Sequence, residues 1–313
     1  MAHGLSRELL DAHVHLWDLA LTPQPWIDPV AMSAIARDFG AGDLADQLGE
    51  VGREHGADDP DGAARSADAS PSSPAIAVTG AVVVQADHSL DETRWLLDAA
   101  SASTAVAAVV GWVDLTGDVA AQLDELAGHP AVGLLRGIRH LAHVDADPDW
   151  LGRDDVAAGV AELGRRGIAF DLVVRPWQLG QATALARRVP GTRLVLDHLG
   201  NPPLDAEAEA DWRAGVAALA ACEHVSAKVS GLVSGGDADA AAPERLDRAF
   251  DAALAAFGPG RLMYGSDWPL VRLAADGYRG WFVEYLRLTA PLSAAERDAV
   301  DAGSARTAYG IAR

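Results

Sequence analysis

Short apolar, β-branched runs alternate with stretches of helical spacing along this chain, and that alternation limits the fold more than any other feature. After an opening strand within Leu9–Asp18, strands are predicted over Ala75–Gln85, Val106–Trp112, Val132–His140, Ala169–Val174, Arg193–His198, Val225–Ser230 and Leu262–Asp267. Helices are predicted over Asp43–Val51, Leu90–Ala102, Val119–Leu126, Val156–Arg166, Trp177–Arg188, Trp212–Ala221 and Pro243–Phe257. Strands that alternate with helices pair in parallel through right-handed crossovers. Eight strands in 313 residues suit a closed barrel better than an open sheet. The expectation is one (β/α)8 TIM barrel, a single domain over residues 1–313. At about 53–74 periodicity gives way to Asp, Ala, Ser, Gly and Pro, which marks an insertion. No Gly-x-Gly-x-x-Gly opens a helix after a strand, which speaks against a dinucleotide cofactor, and no organic cofactor is expected.

In such a barrel the chemistry sits where the strands end. Those ends are polar here: His13 and His15 on the first strand, Gln85 with Asp87 and His88 on the second, Arg139 and His140 on the fourth, Asp171 and Arg175 on the fifth. Asp197 and His198 close the sixth, Lys228 and Ser230 the seventh, and Asp267 the eighth. A side-chain period of two puts Asp11, His13 and His15 on one face of the first strand. By the same parity Lys228 points inward, opposite Val225, Ala227 and Val229, and Asp267 shares a face with Met263 and Gly265. Lys228 is the sole lysine, and an exposed lysine is the ordinary alternative. Asp18 and Asp197 are placed to orient the neighbouring histidines. Trp26, Trp177 and Trp268 lie near strand tops and are candidates to stack on a ring, whereas Trp112, Trp150, Trp212 and Trp281 read as packing. His88 and His143 stay undecided.

A formal charge of −20 argues against nucleic acid and anionic membranes and leaves a small molecule as the expected partner. One cysteine, Cys222, excludes an intramolecular disulfide and suits a reducing compartment. The absence of a long apolar run or of a basic segment before an apolar core leads to the expectation of a cytoplasmic protein, monomer or homodimer.

Asp11-Ala12-His13-Val14-His15, Leu196-Asp197-His198-Leu199-Gly200-Asn201-Pro202, Lys228-Val229-Ser230-Gly231-Leu232 and Tyr264-Gly265-Ser266-Asp267-Trp268-Pro269 together resemble the amidohydrolase superfamily. The resemblance is to its amidohydrolase-2 branch, which includes sugar lactonases and pyrone-dicarboxylate lactonase. Gly137-Ile138-Arg139-His140 and Phe170-Asp171 through Trp177 are similar to that branch's fourth- and fifth-strand motifs, and the likeness runs from Leu10 to about Ile311.

The resemblance implies that His13, His15, His198 and Asp267 hold a divalent ion in metal-dependent members, Zn²⁺ first and Mn²⁺ second, and that Asp267 deprotonates the attacking water. Arg139, His140 and Arg175 would bind substrate oxygens, with Lys228, Trp26 and Trp268 as further contacts. The carbamylated lysine of binuclear members comes from the fourth strand; Lys228 lies on the seventh, so that type of site is excluded. Arg175 stands where several mononuclear members carry a histidine, and a cation there would make the metal dispensable. The expected activity is hydrolysis of a small cyclic ester, an aldono-1,4- or 1,5-lactone. The alternatives are a metal-dependent decarboxylase of an aromatic or unsaturated acid, an amide hydrolase, and a non-catalytic ligand-binding barrel.

Overall fold

A computed structural model describes residues 7–54, 76–203, 205–234 and 242–312. The sheet runs in chain order through β1 (Arg7–Val14), β2 (Ile76–Val84), β3 (Val106–Gly111), β4 (Leu135–His140), β5 (Ala169–Leu172), β6 (Leu194–Leu196), β7 (Val225–Val229) and β8 (Leu262–Tyr264). All neighbours pair in parallel, and a bridge between Val14 and Trp268 brings the last strand back to the first. The helices between and after the strands are α1 (Ala41–Glu54), α2 (Leu90–Ser101), α3 (Val119–Leu126), α4 (Asp154–Arg165), α5 (Leu179–Arg188), α6 (Ala206–Ala220), α7 (Pro243–Phe257) and α8 (Gly277–Thr289). This is the (β/α)8 barrel. Most of the insertion expected at 53–74 lies outside the described residues.

Parity separates two cores. Leu9, Val83, Ile138, Phe170, Leu194 and Ala227 face outward onto the helices. Leu10, Ala12, Val82, Val84, Ala108, Val110, Ala169, Val195 and Met263 fill the lumen, small side chains packed in a narrow bore. From below, α9 (Ala294–Asp298), a π turn (Ala299–Gly303) and α10 (Ser304–Tyr309) contribute Ala302, Ala305, Ala308 and Tyr309 to the same lumen cluster. Neither α8 nor this C-terminal plug is among the helices predicted above.

One expectation about β1 fails. Asp11 pairs with Ala81 and Val14 with Val83, so β1 takes three steps where β2 takes two. The extra residue is a bulge, and it inverts the side-chain alternation. Asp11 therefore turns outward, accepting from Ser266 N at 2.9 Å and from the Tyr278 hydroxyl of α8 at 2.8 Å, while His13 turns into the barrel. Burial lifts the Asp11 carboxyl to about 6 against the hydrogen bonds that hold it down. No helix among the described residues is long and apolar enough to cross a membrane.

Candidate active site

A cavity of about 470 Å³ opens at the C-terminal ends of the strands. His15, Arg139, His198 and Asp267 line it together with an apolar wall of Met32, Leu270 and Leu273. Asp267 follows β8 with φ +61°, a left-handed backbone that a non-glycine residue adopts at a cost of about 1–2 kcal/mol. Such outliers persist where surrounding contacts over-determine them. Here the Asp267 N–H donates to the His13 carbonyl at 2.8 Å, and the His15 N–H donates to the Trp268 carbonyl at 2.6 Å. These bonds hold the first and last strand ends, with their acid and imidazoles, side by side.

His198 has φ +53° in a left-handed run through Asn201. Its Nδ1 is 2.9 Å from Ser230 Oγ, which fixes the ring. Gly231 at φ +65° makes room: a Cβ there would stand 2.3 Å from His198 Nδ1.

Asp267 Oδ1 lies 3.5 Å from His15 Nε2 and 3.7 Å from His13 Nε2. Burial works to raise its carboxyl, but the His198 imidazole beside it prevails. The group is held well below the usual carboxylate range and is ionised at neutral pH. Burial lowers both His13 and His15, with Lys228 adding to the effect at His13 and Arg139 at His15, so these rings are neutral. His15 Nδ1 donates to the Val84 carbonyl at 2.8 Å, which leaves Nε2 a lone pair.

Under the floor lies a charged network. Lys228 Nζ is 2.6 Å from Asp171 Oδ2, 3.0 Å from Asp197 Oδ1 and 3.1 Å from His13 Nδ1. Arg139 Nη1 reaches Asp197 Oδ2 at 3.1 Å, its Nε reaches Gln85 Oε1 at 2.9 Å, and its Nη2 donates to the Gln85 carbonyl. Tyr309 of the plug donates to Asp171 Oδ2 at 2.7 Å. Burial raises Asp171, whose cation is Lys228, whereas Asp197 also faces His13 and Arg139 and is held down against its burial.

Donor atoms of His13, His198 and Asp267 converge within 4.8 Å of one another, and His15 Nε2 adds a third nitrogen 3.1 Å from His13 Nε2. Nitrogen and carboxylate donors so arranged fit one divalent ion. The cations that crowd it are Lys228 on His13 Nδ1 and Arg139, 3.4 Å from His13 Nε2. Arg175, expected to oppose the metal, is an exposed residue of the cavity wall.

Other expected contacts lie away from the cavity lining. Lys228 is fully buried below the floor and does not line the cavity. His140 is stacked between His88 and Trp150, with centroids at 4.0 and 3.8 Å, and its Nε2 is 2.7 Å from Asp145 Oδ2; it is a packing residue outside the cavity. Trp268 is buried edge-on against Phe39, so Trp26 alone of the three candidate tryptophans lines the opening. Asp18 caps its own turn by accepting from Ala20 N and Leu21 N rather than orienting His15, whereas Asp197 does reach His13 Nδ1, at 3.4 Å. The cavity also holds His143, Asn201 and Ser234, which strand-end reading did not single out. Asn201 sits inside the sixth-strand motif, which was its only signal; His143 is carried in by a 3-10 turn after β4.

The parallel eight-stranded barrel brings one aspartate and three imidazoles together at its C-terminal mouth, where the chemistry of such barrels sits. The amidohydrolase family model matches residues 10–311, and the chain belongs to that family. It is 36% identical over 312 residues to an L-fucono-1,5-lactonase of Burkholderia multivorans, covering 96% of each chain. It is 35% identical over 279 residues to an L-fucono-1,5-lactonase of Burkholderia ambifaria, covering 87% of this chain and 84% of the relative. A Burkholderia multivorans amidohydrolase solved with bound HEPES and with bound zinc superposes with a TM-score of 0.81 at 34% identity, covering 97% of this chain and 99% of that one.

Proposed function

We propose that this protein hydrolyses a sugar lactone, an aldono-1,5- or 1,4-lactone, with Asp267 as the general base. The observation that carries the reading is Asp267 itself: a buried carboxylate kept ionised beside His198 on the floor of a cavity of about 470 Å³. The two L-fucono-1,5-lactonases support the choice of substrate. So does the cavity, whose Arg139, Arg175 and Asn201 suit hydroxyl and carbonyl oxygens while Met32, Leu270 and Leu273 suit a deoxy carbon.

In this reading Asp267 takes a proton from water as the water oxygen bonds to the lactone carbonyl carbon. Negative charge gathers on the former carbonyl oxygen, where the Arg139 guanidinium and the His198 ring stabilise it. The ring C–O bond then breaks, and protonated Asp267 returns its proton to the departing alkoxide, so that lactone and water become one hydroxy acid. A divalent ion held by His13, His198 and Asp267, with His15 beside them, would supply a Lewis acid for the carbonyl.

The test is a proton-release assay over aldono-1,4- and 1,5-lactones, on protein as purified and after chelation, with metal content measured on both. Turnover of at least one sugar lactone well above its spontaneous opening is expected. A panel with no turnover under either condition, with or without added Zn²⁺ or Mn²⁺, would overturn the reading.

A further inference from the structure

Within 3.5 Å each ring nitrogen of His13 faces one donor and one acceptor, with Asp267 Oδ1 farther off at 3.7 Å from Nε2. Nδ1 is 3.1 Å from Lys228 Nζ and 3.4 Å from Asp197 Oδ1; Nε2 is 3.1 Å from His15 Nε2 and 3.4 Å from Arg139 Nη1. Lysine and arginine only donate, a carboxylate only accepts, and His15 Nε2 accepts because its Nδ1–H is committed to Val84. A neutral imidazole has one N–H and one lone pair, so the ring has two self-consistent arrangements. In the first, Nδ1 accepts from Lys228 and Nε2–H donates to His15, which uses both 3.1 Å contacts. In the second, Nδ1–H donates to Asp197 and Nε2 accepts from Arg139, which uses both 3.4 Å contacts.

The first arrangement has the shorter bonds and keeps both hydrogen bonds of Lys228. Its ammonium reaches Asp171 Oδ2 and His13 Nδ1 by hydrogen bonds at 2.6 and 3.1 Å and is ion-paired with Asp197 Oδ1 at 3.0 Å. A compact ammonium can sit within reach of Asp171, His13 and Asp197 at once, which a planar guanidinium fork could not. That accounts for the one lysine in a chain otherwise supplied with arginine. Ligation of an ion by Nε2 requires the second arrangement, with Asp197 as the carboxylate behind the ligating imidazole.

We propose that Lys228 is a positioning residue that holds His13 as the Nε2–H tautomer, a hydrogen-bond donor, and so weakens the site's grip on a divalent ion. Ion binding moves the ring proton from Nε2 to Nδ1 and exchanges the Lys228 hydrogen bond for the one to Asp197. The proton count is unchanged. In the wild type Lys228 tips the balance against the ion.

The experiment needs no substrate, so its failure is distinct from failure of the lactonase reading. Nitrogen-15 NMR of chelator-treated wild-type protein labelled at histidine reads the tautomer directly: His13 is expected to carry its proton on Nε2. Zinc affinity, measured by chelator competition, is expected to rise about tenfold or more in Lys228→Met, with the ring proton moving to Nδ1. Because that change leaves Asp171 without its cation, Lys228→Met combined with Asp171→Asn is measured beside it, and the same rise is expected. An Nδ1–H ring in the metal-free wild type overturns the proposal, as does zinc affinity that stays level or falls in the folded variants.

Discussion

Asp267 Oδ1 and His15 Nε2 stand 3.5 Å apart on the cavity floor, an ionised carboxylate against a neutral ring. Because the Asp267 carboxyl is lowered, the base is present throughout the neutral range, and the lowered His13 and His15 do not charge there either. The acid limb of kcat/KM should therefore fall below about pH 4, where an ordinary aspartate titrates, with none of these three groups producing a step near pH 6.5. A pH–rate profile on a sugar lactone checks this. A limb that Asp267→Glu moves within the range from about pH 6 to 7 would contradict it.

The contact between Gly231 and His198 gives a second prediction. In Gly231→Ala the new methyl group would meet His198 Nδ1 at 2.3 Å, on a backbone at φ +65°. The ring must move by a fraction of an ångström or more, and displacements of that size cost about 10²-fold in kcat. A stability loss of about 1–3 kcal/mol should accompany it. Steady-state kinetics and urea denaturation measure the two effects, and a variant with wild-type kcat would show that the ring position does not matter.

Trp26 and Trp268 should separate cleanly. Trp26 is 40% exposed on the cavity wall, so Trp26→Ala should raise KM roughly fivefold to tenfold with kcat nearly unchanged. Trp268 is 1% exposed and packs on Phe39, so Trp268→Phe should cost about 1–3 kcal/mol of stability through the space it leaves. An unchanged KM in Trp26→Ala would remove that residue from the substrate's surroundings.

Glu92 ties stability to pH. It accepts the N–H groups of Ala86 and Asp87, both at 3.0 Å, and burial lifts its carboxyl to about 7 despite those bonds. Between its unfolded value of 4.5 and about 7 the folded chain holds the extra proton, so the free energy of unfolding falls as pH rises through that window. From pH 5 to pH 7.5 the loss from this group is roughly 2 kcal/mol. Urea denaturation of wild type and Glu92→Gln at both pH values isolates it, since the variant lacks the titration. An equal stability difference at the two pH values would contradict the assignment.

Much of this architecture is legible in the sequence because its causes are local. β-branched runs and helical spacing define strands and helices, and a strand period of two turns Lys228 inward. What escapes the sequence depends on partners far along the chain. The β1 bulge exists only in register with β2, and it sends Asp11 outward to Tyr278, 267 residues away. His140 and His143 are three residues apart and equally polar, yet stacking with His88 and Trp150 keeps one in packing while a 3-10 turn delivers the other to the cavity. Tyr309 reaches Asp171 only because the C-terminal helices close the barrel from below, and no motif near it announces that contact.

The central claim is that Asp267 activates the water. The direct measurement is kcat/KM of wild type and Asp267→Asn on a sugar 1,5-lactone, with circular dichroism showing that both are folded. Asparagine keeps the shape and removes the proton acceptor, so the rate should fall by about 10³-fold, within the range general bases contribute. Retention of activity within about threefold of wild type would mean that another group takes the proton, and the account would be wrong.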